Sequence, residues 1–214
     1  MKKIPTLFKR VYENHKVVDI LPEVTPGMEW VLNGEGIATT KFDGSCCAII
    51  DDVFYKRFDA KPGRTIPEGA IPCCEPDPIT GHWPHWVKLD RNNPADRWFS
   101  EAFKNFLDQR ALDEGYRPDQ DPDWESGKFD GTYEAIGPHF QGNPYHLSND
   151  IVVRHGNQQI MQLEDNPRTF EYIKSFLESN KIEGIVFWKD GEPQCKIKRT
   201  DFGFDWPVKV KKED

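Results

Sequence analysis

The stretch Lys41-Phe42-Asp43-Gly44 contains a lysine that could act as a nucleophile. A lysine attacks phosphorus only through its neutral amine, whereas a free lysine is protonated at pH 7. Partial burial or a neighbouring positive charge favours the neutral form. Asp-Gly makes a tight bend that holds the lysine at the edge of a pocket. Taken alone the pattern favours a surface turn, because Lys-x-Asp-Gly arises often by chance, so its function depends on residues elsewhere.

A carboxylate and two lysines form a second group near the end of the chain. Lys196 and Lys198 are two residues apart in a strand-like segment, so they share one face of that strand. Across the predicted hairpin, Glu183 points into the same space. Two ammonium groups beside a carboxylate that can hold Mg²⁺ suit a polyphosphate, and the alternative is a solvated strand face.

Two more polar residues lie on predicted strands between these groups. Arg57 is on the strand that follows the lysine hairpin, and Glu134 lies in Gly131–Gly137. Both belong to the set of charged residues that could act together with Lys41. Lys56 and Arg64 are rival candidates for the role of Arg57, and an exposed strand residue is the alternative for Glu134.

The elements that position these residues are mostly hairpins. One hairpin is predicted over residues 45–58 with its turn at Asp51-Asp52, and a second over residues 184–199 with its turn at Asp190-Gly191. Further strands are predicted at 129–136 and 151–154. Helices are predicted from Pro94 to Leu112, capped by Asn93 and ended by Gly115, and from Asn166-Pro167 onward. The pattern indicates an α+β fold of largely antiparallel sheets flanked by helices.

The remaining segments are less regular. Residues 17–34 predict a strand or two with turns, residues 59–94 a long irregular excursion, and residues 115–128 an acidic loop. Cys73, Cys74, His82 and His85 fit no standard zinc spacing, so an irregular loop is favoured over a metal site. His139, Phe140 and Tyr145, soon after Glu134, are candidates for substrate contact.

Composition limits the class of protein. The 214 residues carry a net charge of −8, with 30% charged residues and a mean hydropathy of −0.72. Basic residues cluster near the N-terminus and between 196 and 212, so a local basic face remains compatible with an acidic protein. No stretch approaches a membrane span, and no secretory signal is evident. Five cysteines with two adjacent pairs indicate reduced, intracellular thiols.

These segments, in this order and spacing, resemble the covalent nucleotidyltransferase superfamily. The matching pieces are Lys41-Phe42-Asp43-Gly44, Arg57, Glu134, Glu183-Gly184-Ile185-Val186-Phe187 and Lys196-Ile197-Lys198. Within that superfamily the chain is most similar to a small ATP-dependent RNA ligase, on the hairpin 183–199 and the stretch 133–145. The resemblance covers about residues 30 to 206 and implies a nucleotidyltransferase (ATP-grasp-like adenylyltransferase) domain.

The resemblance implies a three-step reaction. Lys41 takes AMP from ATP, the AMP passes to an RNA 5′-phosphate, and a 3′-hydroxyl then displaces it to seal the strand. It assigns Arg57 and Glu134 to the ribose, Glu183 to Mg²⁺ or Mn²⁺, and Lys196 and Lys198 to the α-phosphate. The expected partners are ATP and RNA ends, without a membrane or an obligatory protein partner. The expected enzyme is intracellular and cytoplasmic, and a phage or viral origin is compatible with the pattern.

The chain also departs from the pattern. Many ligases have a glutamate one or two residues before the lysine, for adenine recognition, where this chain has Thr39 and Thr40. The motifs therefore specify the reaction more closely than they specify the nucleotide base that is recognised. We expect a single adenylyltransferase domain over residues 1–214, with no C-terminal OB-fold or helical accessory domain. The alternatives are a GTP-dependent capping enzyme, a DNA ligase, or a silent module that binds nucleotide or RNA ends.

Overall fold

A computed structural model describes residues 3–14, 16–114 and 127–208. Within these residues the strands, in chain order, are β1 (Phe8–Glu13), β2 (Lys16–Val24), β3 (Ile37–Lys41), β4 (Ser45–Ile50), β5 (Val53–Ala60), β6 (Ile71–Pro72), β7 (Trp83–Lys88), β8 (Gly131–Ile136), β9 (Ile151–Arg154), β10 (Gly184–Lys189) and β11 (Glu192–Lys198). The α-helices are α1 (Glu29–Leu32), α2 (Arg97–Glu114) and α3 (Phe170–Ser179). Short 3₁₀ helices lie at Pro94–Asp96, Met161–Leu163 and Arg199–Phe202.

The chain divides into two compact units. Of the described residues, unit 1 takes 43–114 and 127–155, and unit 2 takes 3–14, 16–42 and 156–208. The chain therefore passes from one unit to the other between Phe42 and Asp43, and returns between His155 and Gly156.

Unit 2 is built on a three-stranded antiparallel sheet in the order β11-β10-β3, beside the antiparallel pair β1-β2. Alternate residues of β10 and β11 point into its core: Ile185, Phe187, Cys195 and Ile197 are fully buried. Helix α3 adds Ile173 and Leu177 to the same core. This two-residue alternation leaves the residues between them on the opposite face of the sheet.

Unit 1 is a six-stranded antiparallel sheet in the order β6-β7-β5-β4-β8-β9. Helix α2 contacts β8 and β9, and its buried aromatic residues join a core rich in rings. Phe54 and Phe103, for example, stack with their centroids 4.6 Å apart. Asp51 and Asp52 both have positive φ, which gives the β4–β5 turn the twist that two-residue hairpins require.

Several predictions from the sequence are confirmed. The α+β fold with mainly antiparallel sheets is present, as are both hairpins, the strand at 151–154 and the helix that follows Asn93. The Asn93 side chain accepts a hydrogen bond from the Ala95 amide and so caps that segment, as expected. Gly115 and the predicted acidic loop up to residue 126 lie outside the described residues.

Three boundaries are wrong. The second helix begins at Phe170 because Thr169, rather than Asn166, caps it by accepting from the Tyr172 amide. The irregular excursion 59–94 contains β6 and β7, which its prolines concealed; Pro84 lies inside β7 and uses its carbonyl to accept from Cys73. Arg199 begins a 3₁₀ helix instead of ending the strand.

Two further observations bear on the expected class of protein. All five cysteines lie in the described part of the chain and none of them forms a disulfide. Among the described residues, no helix is long and apolar enough to cross a membrane. The organisation of residues 1–214 as one adenylyltransferase domain stays a prediction.

Candidate functional site

The first group of predicted site residues meets at Gly184 in unit 2. Gly184 is paired with Lys41 of β3 on one side and with Lys198 of β11 on the other, so both lysines flank the start of β10. A Cβ at Gly184 would lie 2.2 Å from the Ile197 carbonyl oxygen, and a side chain therefore cannot be accommodated there. The glycine lets the three strands approach closely where the charged residues converge.

Glu183, immediately before β10, links the two lysines. Its Oε2 lies 2.5 Å from Lys41 Nζ and its Oε1 lies 2.6 Å from Lys198 Nζ. The Glu183 side chain is 5% exposed, whereas those of Lys41 and Lys198 are 21% and 31% exposed. A buried carboxylate needs such partners, because an unpaired charge in the interior is costly. We call Lys41, Glu183 and Lys198 the lysine cluster.

Lys196 is the fourth predicted residue of this group. It is half-buried, and burial together with the positive charges of Lys41, Lys198 and Arg10 lowers its pKa to about 8. No carboxylate within the described ranges forms an ion pair with its ammonium group. Lys196 therefore adds positive charge to the lysine cluster without being neutralised by a direct partner, as a phosphate-binding lysine should.

Main-chain contacts fix the ends of the strands that carry the cluster. The Arg199 amide donates to the Glu183 carbonyl at 2.9 Å, and the Lys198 amide donates to Asp201 Oδ2 at 2.8 Å. The other oxygen of Asp201 pairs with Arg10 Nη2 at 2.6 Å. Sequence reasoning missed Asp201 and Arg10. The only local signal was an aspartate three residues after Lys198, at a position that caps a helical turn.

Glu134 occupies a different kind of environment, in unit 1. Its Oε1 accepts from the Gly44 amide at 3.1 Å, and its Oε2 lies 3.0 Å from Nε2 of His155. The other ring nitrogen of His155 lies 3.0 Å from Thr132 Oγ1, which fixes the imidazole between two side chains of β8. Sequence reasoning missed His155, because only the β8–β9 register brings it beside Glu134.

Arg57 lies on the same face of the six-stranded sheet as Glu134. The register pairs Cys46 with Glu134 and Cys47 with Lys56, so Cys46 lies between Arg57 and Glu134. Burial, and then the charge of Glu134, raises the pKa of Cys46 to about 12, so the thiol is neutral at pH 7. Arg57 itself pairs with Asp59 at 2.8 Å.

The rival candidate Lys56 has another role, because it forms an ion pair with the buried Asp96. Arg64 lies on an exposed loop of unit 1.

The bend Asp43-Gly44 is fastened within unit 1. Tyr145 Oη accepts from the Asp43 amide at 2.6 Å, and Gln141 donates to the Gly44 carbonyl at 3.2 Å. A Cβ at Gly44 would lie 2.2 Å from the Ala135 carbonyl oxygen, which explains why the motif has glycine there. Tyr145 therefore holds the bend. Phe140, 4% exposed, is part of the core, so the prediction that it contacts substrate is wrong.

The chemistry of the cluster fits a divalent cation that is held mainly by phosphates. Among the described residues there is no group of three or more His, Cys, Asp or Glu that could hold a metal by itself. Mg²⁺, however, is usually bound through one or two carboxylates plus substrate phosphates. Glu183 is the carboxylate of the lysine cluster, and because both of its oxygens pair with lysines, a cation would have to share them. His85, which was expected in an irregular loop, lies instead in β7 and is buried, with its Nδ1 2.9 Å from the Trp83 carbonyl.

Comparison with known proteins places most of this chain in one family. The family model for RNA ligase 1 matches residues 55–212, a range that begins after Lys41 and includes the other predicted site residues. RNA ligase 1 of Pongo abelii is 27% identical over 80% of this chain and 69% of that protein. RNA ligase 1 of Rattus norvegicus is 26% identical over 80% of this chain and 69% of that protein. RNA ligase 1 of Danio rerio is 29% identical over 60% of this chain and 43% of that protein.

Most of the chain lies within the match to the family model. The class that the antiparallel sheets and the comparisons indicate is therefore an α+β protein related to RNA ligases. The chain belongs to the RNA ligase 1 family.

Proposed function

We propose that this protein is an ATP-dependent RNA ligase that works through a lysyl-AMP intermediate. The observation that supports this most strongly is the lysine cluster, in which one buried carboxylate holds Lys41 and Lys198 at 2.5 and 2.6 Å. Membership of the RNA ligase 1 family supports RNA as the substrate. The proposal includes the nucleotidyltransferase fold that the sequence resemblance implies.

In the first step the Nζ of Lys41 attacks the α-phosphate of ATP. Nζ first loses one proton to solvent and becomes a neutral amine. A nitrogen–phosphorus bond then forms, the bond between the α-phosphorus and the oxygen that bridges to the β-phosphate breaks, pyrophosphate leaves, and Nζ loses a second proton and keeps its third. Lys196 and Lys198 bind the phosphate oxygens where negative charge develops. Glu183 keeps Lys41 in place through its Oε2. Glu183 and the phosphates would hold a Mg²⁺, which would supply further charge neutralisation.

Arg57 and Glu134 bind the ribose of the nucleotide. Glu134 suits a hydroxyl group because a carboxylate accepts hydrogen bonds, and its orientation is fixed by the Gly44 amide and His155. Preorganised polar groups of this kind position a substrate without paying for reorganisation during the reaction. Thr39, one of the two threonines before the lysine, is buried and accepts from Trp188 Nε1, so it is engaged within unit 2.

In the second and third steps the AMP moves from Lys41 to an RNA 5′-phosphate, and an RNA 3′-hydroxyl then displaces it. The phosphodiester bond forms as the bond to AMP breaks. Little covalent work falls to the protein after the first step, because positioning and charge neutralisation account for most catalysis of phosphoryl transfer.

The test compares matched substrates. The purified protein is incubated with α-labelled ATP or GTP and Mg²⁺, and then with nicked or single-stranded RNA and DNA that carry 5′-phosphate and 3′-hydroxyl ends. We expect label transfer from ATP and joining of RNA. Labelling by GTP instead would indicate a capping enzyme, and equal or better sealing of DNA would indicate a DNA ligase. Absence of labelling by either nucleotide would indicate a binding module.

A further inference from the structure

Three side chains stack at the start of α2 in unit 1. The rings of Trp98 and His139 are nearly parallel, with an interplanar angle of 7° and centroids 3.3 Å apart. The guanidinium of Arg97 lies 4.1 Å from the centroid of the Trp98 ring. We call Arg97, Trp98 and His139 the stacked array. Arg97 and His139 are exposed, and Trp98 is half-buried against the aromatic core.

A buried carboxylate fixes the orientation of His139. Asp150 is 1% exposed, its Oδ2 lies 2.7 Å from His139 Nδ1, and its Oδ1 accepts from the His139 amide at 3.1 Å. Asp150 is also tightly packed. The Asn105 side chain donates to the Asp150 carbonyl at 2.8 Å, and a Cβ at Gly137 would lie 2.6 Å from Asp150 Oδ1. Histidine and aspartate are therefore held as one rigid pair.

This arrangement leaves one ring nitrogen for a ligand. An ionised carboxylate only accepts hydrogen bonds, so the hydrogen of the neutral ring lies on Nδ1, and Nε2 is an acceptor. Within the described ranges, Nε2 of His139 has no hydrogen-bond partner, and the side chain is 37% exposed. A phosphate diester has no hydrogen to donate, whereas a ribose 2′-hydroxyl does. The neutral ring is therefore suited to a sugar hydroxyl.

Arg97 complements this acceptor. A guanidinium held over an aromatic ring loses little freedom when it binds, and its planar fork matches phosphate oxygens. A sugar hydroxyl and a phosphate oxygen lie next to each other along an RNA backbone. None of the residues assigned to the nucleotide belongs to the stacked array.

We propose that Arg97 and His139, stacked on Trp98 and oriented by Asp150, bind the ribose–phosphate backbone of an RNA strand. Arg97 binds a phosphate and His139 Nε2 accepts from a 2′-hydroxyl, while Asp150 is a positioning residue. The identity of the ligand as RNA rests on the proposed function. The stacked array gives this protein an RNA contact that is separate from its nucleotide-binding residues.

Binding without ATP tests this inference independently of ligation. Fluorescence anisotropy at pH 8 is measured for single-stranded RNA and for DNA of the same sequence. The variants are Arg97→Gln, His139→Gln and the control Lys104→Gln, which removes the same charge from an exposed position on α2. Melting curves accompany each variant. A competition with inorganic phosphate asks whether a free anion replaces the strand.

We expect Arg97→Gln to weaken the binding of RNA and of DNA to the same extent. The slope of log affinity against log salt concentration should become smaller in magnitude by about 0.7. His139→Gln should weaken RNA binding about fivefold and leave DNA binding unchanged, because only RNA has the 2′-hydroxyl. Lys104→Gln should bind like the parent.

Parent-like binding by Arg97→Gln would overturn the proposal, as would an equal loss in Lys104→Gln. Equal losses on RNA and DNA for His139→Gln would overturn the hydroxyl assignment. Displacement of RNA by millimolar inorganic phosphate would show an anion site only and would overturn the strand assignment. Should His139→Gln fail to fold, the salt slope of Arg97→Gln decides. A parent that acquires no AMP but still shows these losses would refute the ligase proposal and leave the RNA contact standing.

Discussion

The two groups of predicted site residues satisfy their charges in different ways. In unit 2, Glu183 is shared by Lys41 and Lys198, and the positive charges outnumber the carboxylate. In unit 1, Glu134 is held by an amide and an imidazole, and Arg57 pairs with Asp59. An excess of positive charge is suited to phosphates, whereas a carboxylate held by hydrogen bonds is suited to a sugar. The contrast indicates which group should govern rate and which should govern nucleotide affinity.

The largest effect after loss of the nucleophile is expected for Glu183→Gln. The change removes the charge that holds two ammonium groups, so we expect AMP transfer to fall by on the order of a hundredfold or more. The Mg²⁺ requirement should rise as well. Single-turnover labelling at several Mg²⁺ concentrations measures both, with the exposed Glu178→Gln on α3 as a control. Parental rate and metal dependence in Glu183→Gln would show that the residue is only structural.

Lys196→Ala and Lys198→Ala should each slow AMP transfer by on the order of a hundredfold, because each removes a cation from the phosphate-binding face. Ile197, buried between them on the opposite face, should show the reverse pattern. We expect Ile197→Ala to cost about 2–5 kcal/mol of stability with a smaller direct effect on chemistry. Single-turnover labelling and thermal melting are measured together. Lysine variants with the parental rate would refute the phosphate-binding face.

In unit 1, Glu134→Gln should weaken ATP binding about tenfold, because a hydrogen bond to a charged acceptor is lost. His155→Asn should act in the same direction but more weakly, since it acts through Glu134. The double variant should be less than additive because the two side chains touch. Isothermal titration with ATP measures this, with the exposed His146→Asn as a control. Additive losses, or a His155 effect larger than that of Glu134, would contradict the ribose assignment.

The smallest effect concerns stability and pH. The lowered pKa of Lys196, about 8 against 10.5, means that the unfolded chain binds more protons between these values. Stability from this group therefore rises as pH increases from about 8 to 10.5. Lys196→Met should remove that rise, on the order of 1 kcal/mol after allowance for solvent, whereas the exposed Lys174→Met should keep it. Denaturant unfolding across this range measures the difference, and an unchanged rise in Lys196→Met would contradict it.

Local sequence patterns were sufficient to predict the hairpins and the residues that lie opposite each other on their two strands. The alternation in β10 and β11 and the turn at Asp190-Gly191 are local features, and they place Glu183 beside Lys198. Glu183 and Lys41 are 142 residues apart in sequence, and their contact depends on β10 pairing with β3. The sequence resemblance brought those residues together, because no local pattern specifies that pairing.

What the sequence could not predict depends on tertiary contacts. Arg168 is completely buried and donates to the carbonyls of Leu163, Glu35 and Gly36. An isolated arginine before a helix normally indicates a surface, so this role was hidden. The Asp150–His139 pair was missed for the same reason: eleven residues separate the two, and only the folded loop joins them.

The central claim is that Lys41 becomes covalently attached to AMP. The most direct measurement is intact mass of the protein after incubation with ATP and Mg²⁺, followed by peptide mapping. We predict an added AMP on Lys41 in the parent and none in Lys41→Arg, because a guanidinium stays protonated and is a poor nucleophile. AMP found instead on Lys196, whose pKa is lowered to about 8, or an adduct that persists in Lys41→Arg, would contradict the account.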